Sequence, residues 1–148
     1  MRAFPSGLAV VSVDVEGERV GLTIGSLISL SLDPPLVGIA VSRQAALHEL
    51  LRAAGRFGLS LLAADQANLA QHFARGVPPI AMWRGIGWRR GTTGAPLLDD
   101  ALGWIECHVV GEHATGDHTF FVGEVVASER GRPAPALVYV DQRYGAST

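Results

Sequence analysis

The densest run of chemically useful small residues is Gly21-Leu22-Thr23-Ile24-Gly25-Ser26-Leu27-Ile28-Ser29-Leu30-Ser31-Leu32-Asp33-Pro34-Pro35-Leu36. Threonine and serine recur here between two apolar runs, where the chain must bend. Backbone N–H groups exposed in such a bend, joined by Ser and Thr hydroxyls, can hold a phosphate without a lysine. That matters because the chain contains no lysine; all of its basic side chains other than histidine are arginine. Lysine Schiff-base chemistry and a P-loop are therefore excluded. The plainer alternative for the same residues is a polar turn leading into a strand. A second candidate is Gly116-Asp117-His118. Histidine changes charge near neutral pH and can orient a ligand or donate a proton, although Gly and Asp also simply favour turns.

Other constellations carry less. Five histidines accompany Cys107, the only cysteine, but no helix-spaced His pair and no CxxC is present, so no metal motif is read. A Ser-His-Asp hydrolase would need a nucleophile elbow of the GxSxG type, which is missing. Arg84-Gly85-Ile86-Gly87-Trp88-Arg89-Arg90-Gly91 has the wrong glycine spacing for a dinucleotide fingerprint, and no strand–turn–helix pattern frames it.

The elements that must position these residues are mostly strands. Val-rich Leu8 to Val15, Arg19 to Ile24 after the turn at Gly17, and the apolar run Leu36 to Val41 each read as a strand. Leu47, Leu50, Leu51 and Ala54 share one helical face, and Gly55 stops that helix. Phe57 to Leu62 follows as a strand. Asp65 is then the expected N-cap of a second helix that buries Leu69 and Phe73. Residues 77–100, rich in Gly and Pro, read as a long functional loop. Ala101 to His113 and His118 to Glu129 form a hairpin about Gly116-Asp117, and Ala136 to Tyr144 is a last strand. Without alternating βαβ units, one mainly β domain over residues 1–148 is expected: a closed or partly closed antiparallel barrel with peripheral helices. The 148 residues, 48% hydrophobic and 18% charged, suit such a domain. The net charge of -2 argues against nucleic acid. No uninterrupted apolar stretch suggests a membrane span, and the expected location is cytoplasmic.

The run Gly21–Leu36, with its Gly-x-Thr start, clustered serines and Asp-Pro-Pro-Leu end, resembles the signature of the flavin reductase-like family, whose fold is the FMN-binding split barrel. The likeness extends along the chain. It takes in Phe4-Pro5-Ser6-Gly7-Leu8-Ala9-Val10-Val11, Gly55-Arg56-Phe57, Leu62-Ala63-Ala64-Asp65-Gln66 and Gly94-Ala95-Pro96-Leu97-Leu98. Trp104-Ile105-Glu106-Cys107 and Gly116-Asp117-His118-Thr119 with Val122-Gly123-Glu124-Val125 complete it.

The resemblance implies an NAD(P)H-dependent flavin reductase that passes hydride from NADH or NADPH to FMN or FAD. Such an enzyme supplies reduced flavin to a partner monooxygenase, and a homodimer with flavin near the subunit interface is expected. The family match sets Thr23, Ile24, Gly25, Ser26 and Leu27 against the flavin, with Val41, Ser42 and Arg43 toward its phosphate. It assigns Asp117 and catalytic His118 to the nicotinamide. Phe73, Trp83 and Trp88 are candidates for ring or interface contacts, with core packing as the alternative. Gly25 and Ala45 lack hydroxyls that relatives often have there, which keeps open a second reading: a flavin carrier without NAD(P)H turnover.

Overall fold

The computed structural model describes residues 1–148. In chain order the elements are β1 (Ser6–Gly7), β2 (Ala9–Val15), β3 (Glu18–Ile24), β4 (Ile28–Leu32), β5 (Pro35–Ser42), α1 (Ala46–Ala54) and β6 (Arg56–Leu61). A 3-10 turn (Ala64–Gln66), α2 (Ala67–Ala74), α3 (Pro79–Met82), β7 (Trp88–Arg90) and β8 (Pro96–Leu98) follow. The chain ends with β9 (Gly103–Thr115), β10 (His118–Arg130), β11 (Leu137–Val140) and β12 (Arg143–Ala146). No helix is long and apolar enough to cross a membrane.

The main sheet has seven strands in the order β3-β2-β6-β9-β10-β5-β4, antiparallel throughout. Its two edge strands, β3 and β4, are consecutive in sequence, separated only by Gly25, Ser26 and Leu27. Those four Cα steps reach at most about 14 Å. A flat sheet of seven strands would hold its edges about 28 Å apart. The sheet must therefore curl until its edges nearly meet, and the short linker crosses the gap. This is the split barrel that the resemblance implied. A small sheet, β1-β11-β12, and a β7-β8 hairpin pack beside it.

Alternation along the strands fills the barrel. Val11 and Val13 of β2, Ile39 and Val41 of β5, Phe57 and Leu59 of β6 and Phe121 of β10 are at most 1% exposed. Helix α1 closes one side with Leu47 and Leu51 buried and Leu50 and Ala54 partly so. Gly55 ends it in the left-handed region (φ 65°), its N–H donating to the Leu51 carbonyl, the stop expected of that glycine.

Four expectations are corrected. Residues 77–100 are not one loop: Pro79, at the first position of α3, starts a helical turn, and β7 pairs with β8. Asp65 does not cap α2, which begins after Gln66. Its carboxylate is drawn instead to Arg132, which is anchored on the Asp100 carbonyl. The final strand is two, reversed at Asp141 and Gln142, both at positive φ. Finally, the alternating Ile-Ser-Leu-Ser-Leu of β4 is an edge strand rather than part of the bend.

Candidate functional site

A cleft of about 740 Å³ opens where the barrel is split. It lies within the roughly 300–1,000 Å³ usual for small-molecule sites. One wall is the end of β3 and the linker: Leu22, Thr23, Ile24, Gly25 and Ser26. The facing wall is the pair β5–β10, contributing Ala40, Ser42 and His118. The N-terminal segment with Phe4 and Ser6, and the β11–β12 hairpin with Tyr139, Asp141 and Gln142, complete it.

The linker's chemistry follows from its place in the fold. Because it bridges two sheet edges, no neighbouring strand continues the ladder across it. The N–H groups of Gly25, Ser26 and Leu27 consequently have no backbone partner within the chain. Ser26 holds the bend in shape: its Oγ donates to the Ala40 carbonyl (2.9 Å) and accepts from the Ala40 N–H (3.0 Å). Thr23 Oγ1 donates to the Ala70 carbonyl (2.6 Å), fixing β3 to α2. Successive free amides, those of Gly25 and Ser26 on the cleft and that of Leu27 beside it, are suited to anionic or hydroxyl oxygens. The donor set thus fits the polar tail of a flavin, with no lysine required.

Across the cleft, the two-residue turn Gly116-Asp117 brings β10 back against β9, with Gly116 at φ 71°. His118 opens β10 and pairs with Ser42 at the end of β5. The neighbouring Arg43 N–H donates to the Asp117 carbonyl (3.0 Å). His118 Nδ1 lies 2.8 Å from Asp117 Oδ1, and its side chain is 43% exposed. Hydrogen bonding to His118, then its charge, holds the Asp117 carboxyl below the usual range. Behind this tip, His48 of α1 is buried and its Nε2 sits 2.7 Å from Thr119 Oγ1. The helix and the histidine-bearing strand are therefore locked together.

The structure gathers Thr23, Ile24, Gly25, Ser26, Ser42 and His118 on one cleft. Leu27 adjoins it, lining an apolar groove that shares Phe4, Ser6 and Gly25 with the cleft. Four other expected residues, Val41, Phe73, Arg43 and Asp117, do not line the cleft. Val41 alternates inward and is fully buried. Phe73 is 1% exposed, its ring against Gly21 and 5.0 Å from Trp83, which itself meets Trp88 at 5.8 Å. For Phe73 and Trp83 the core-packing alternative therefore holds. Arg43, one residue past β5, is exposed. Asp117 is also exposed and touches the cleft only through His118. Sequence reasoning missed Ser6, Ala40, Tyr139, Asp141 and Gln142. Strand alternation from Ser42 could have found Ala40, whereas the others arrive through the small sheet. No group of three or more His, Cys, Asp or Glu side chains is placed to hold a metal.

Comparison with known proteins agrees with this fold. A family model described as "Flavin reductase like domain" matches residues 1–148. The chain is 37% identical over 144 residues to an NADH-dependent FAD reductase of Streptomyces globisporus, covering 95% of this chain and 79% of that protein. It is 38% identical over 141 residues to the reductase component of 4-hydroxyphenylacetate 3-monooxygenase of Thermus thermophilus, covering 95% and 88%. Among solved structures, the flavin reductase component of a bacterial two-component tryptophan halogenase superposes with a TM-score of 0.92 at 39% identity, covering 98% and 92%. With its seven-stranded split barrel and a family match that spans every residue, this chain belongs to the flavin reductase-like domain family.

Proposed function

We propose that this protein is an NAD(P)H-dependent flavin reductase that supplies reduced flavin, FMN or FAD, to a partner flavin-dependent monooxygenase. The observation that carries the reading is the run of free amides at Gly25, Ser26 and Leu27, the first two on the same cleft as His118 and the third beside it. When bound, the flavin supplies the hydride acceptor and the nicotinamide the donor. The protein's part is to hold the two in contact. The linker amides and Ser42 hold the flavin's polar tail, and Arg43 at the end of β5 reaches for its phosphate. His118, with its ring fixed by Asp117, orients the nicotinamide nucleotide at the mouth. Hydride transfer needs no protein acid, which suits a cleft without a buried acid–base pair. Relatives named as reductase components support the two-component role.

The working form we propose is a cytoplasmic homodimer with the flavin near the subunit interface. The sheet edge at β4 supports this, since Ile28, Leu30 and Leu32 are 50%, 44% and 90% exposed, an apolar strip beside the linker. Sedimentation or light scattering reads the dimer directly.

The deciding experiment follows NADH and NADPH oxidation at 340 nm while FMN or FAD is titrated in. Saturable turnover supports the reductase and identifies both cofactors. Flavin binding without turnover would overturn it in favour of a carrier.

A further inference from the structure

The hydroxyl groups of Thr23 and Ser26, on either side of position 25, are already engaged inside the fold. Thr23 donates to the Ala70 carbonyl and Ser26 to the Ala40 carbonyl. Neither has a proton left for a ligand, since a hydroxyl donates only once. Position 25, between them, has no side chain. Its glycine is not demanded by the backbone, because Gly25 is absent from the residues at positive φ. The space explains it. A Cβ built on Gly25 would lie 2.7 Å from Ser6 Oγ and 3.5 Å from Ser6 Cβ. The hydroxyl of Ser6 thus occupies the place a side chain at position 25 would take.

Ser6 is held there by a different part of the chain. The two-residue strand β1 pairs Ser6 with Tyr139 and Gly7 with Val138 of β11, fixing the segment to the small sheet that closes the cleft. Ser6 is half-buried and lines both the cleft and the apolar groove beside it. We propose that Ser6 is the hydroxyl donor of the linker site, delivered from the N-terminal strand, and that Gly25 is kept small to admit it. Ser6 and the three amides then act on one oxygen-rich group, the ribityl phosphate tail of FMN. The assignment rests on the flavin-binding reading above.

The test is FMN titration followed by quenching of flavin fluorescence, with thermal melting to confirm that each variant is folded. Ser6→Ala removes the donor, and Gly25→Ala pushes the Ser6 hydroxyl aside by rotation about χ1. Each should weaken FMN binding about tenfold, the scale of one lost hydrogen bond to a buried oxygen. In the double variant S6A/G25S the hydroxyl returns from the other chain segment. Affinity should recover to within about threefold of wild type, since a restored donor regains most of that bond. Wild-type affinity in Ser6→Ala, or a double variant no tighter than Ser6→Ala, would overturn the assignment alone. Absence of saturable binding of both FMN and FAD by the wild type would overturn the flavin reading and this assignment with it.

Discussion

Replacing Glu106 with alanine should destabilise the protein by about 2–4 kcal/mol at neutral pH, the range for charge-assisted hydrogen bonds lost together. Glu106 lies on β9, 4% exposed, and its carboxylate clamps the turn between β7 and β8. Oε1 accepts from the Thr93 N–H (2.9 Å) and the Thr93 hydroxyl (2.6 Å), and Oε2 accepts from the Thr92 N–H (3.1 Å). The fit is close enough that Gly91 has no room for a Cβ beside Oε1. Burial pushes the Glu106 pKa up, but hydrogen bonds from Thr93 and Thr92 outweigh it and hold the carboxyl below its ordinary 4.5. A carboxyl depressed in the folded state stabilises it fully only above its unfolded value. That contribution fades as pH falls through the lower, folded value. For a chain of this size the loss corresponds to a fall in Tm of about 4–16 °C. Thermal melts of wild type and Glu106→Ala from pH 7 to pH 3 should show a gap that is wide at neutral pH and narrows below about pH 4. A gap below about 0.5 kcal/mol, the size of an ordinary surface substitution, would refute the argument. A gap equally wide at pH 3 and pH 7 would do the same. Flavin affinity should not move, because none of these residues lines the cleft.

Three further outcomes are expected. His118→Ala should lower NAD(P)H turnover while leaving the flavin Kd nearly unchanged, and equal turnover in the two proteins would remove His118 from the site. Arg43→Ala should weaken flavin binding by about 1.5–3 kcal/mol if the guanidinium reaches the phosphate. An unchanged Kd returns Arg43 to solvent, where its exposed position already puts it. The Cys107 thiol is fully buried and pushed up to about 12 by burial, then by the nearby Glu106 carboxylate. It should therefore resist thiol reagents in the native protein and react only on unfolding, and rapid native labelling would contradict this.

Much of the fold was legible because its signals are local. The Val-rich β2, the apolar face of α1 with its Gly55 stop, and the hairpin turning at Gly116-Asp117 each depend on a few adjacent residues. The motif order likewise pointed to the family and to the linker Gly25–Leu27. What the sequence could not convey was which groups remain free once the chain has folded. Thr23 and Ser26 look like ligand donors on paper, yet their protons go to carbonyls of α2 and β5, because those elements pack against the linker. Asp65 reads as a helix cap, but Arg132, 67 residues away, takes its carboxylate. Phe73 is helix-spaced for burial and also large enough for a flavin ring, and only packing against Gly21 and Trp83 assigns it to the core. Ser6 and Tyr139 reach the cleft through strand pairing between the two ends of the chain. The amino-acid sequence by itself determined the local strands, the first helix and the hairpin turn, since turn chemistry and hydrophobic period act over short distances, and its family resemblance implied the split barrel. Tertiary structure alone decided which hydroxyls and amides around the linker still face the cleft, because hydrogen-bond satisfaction depends on neighbours that are distant in sequence.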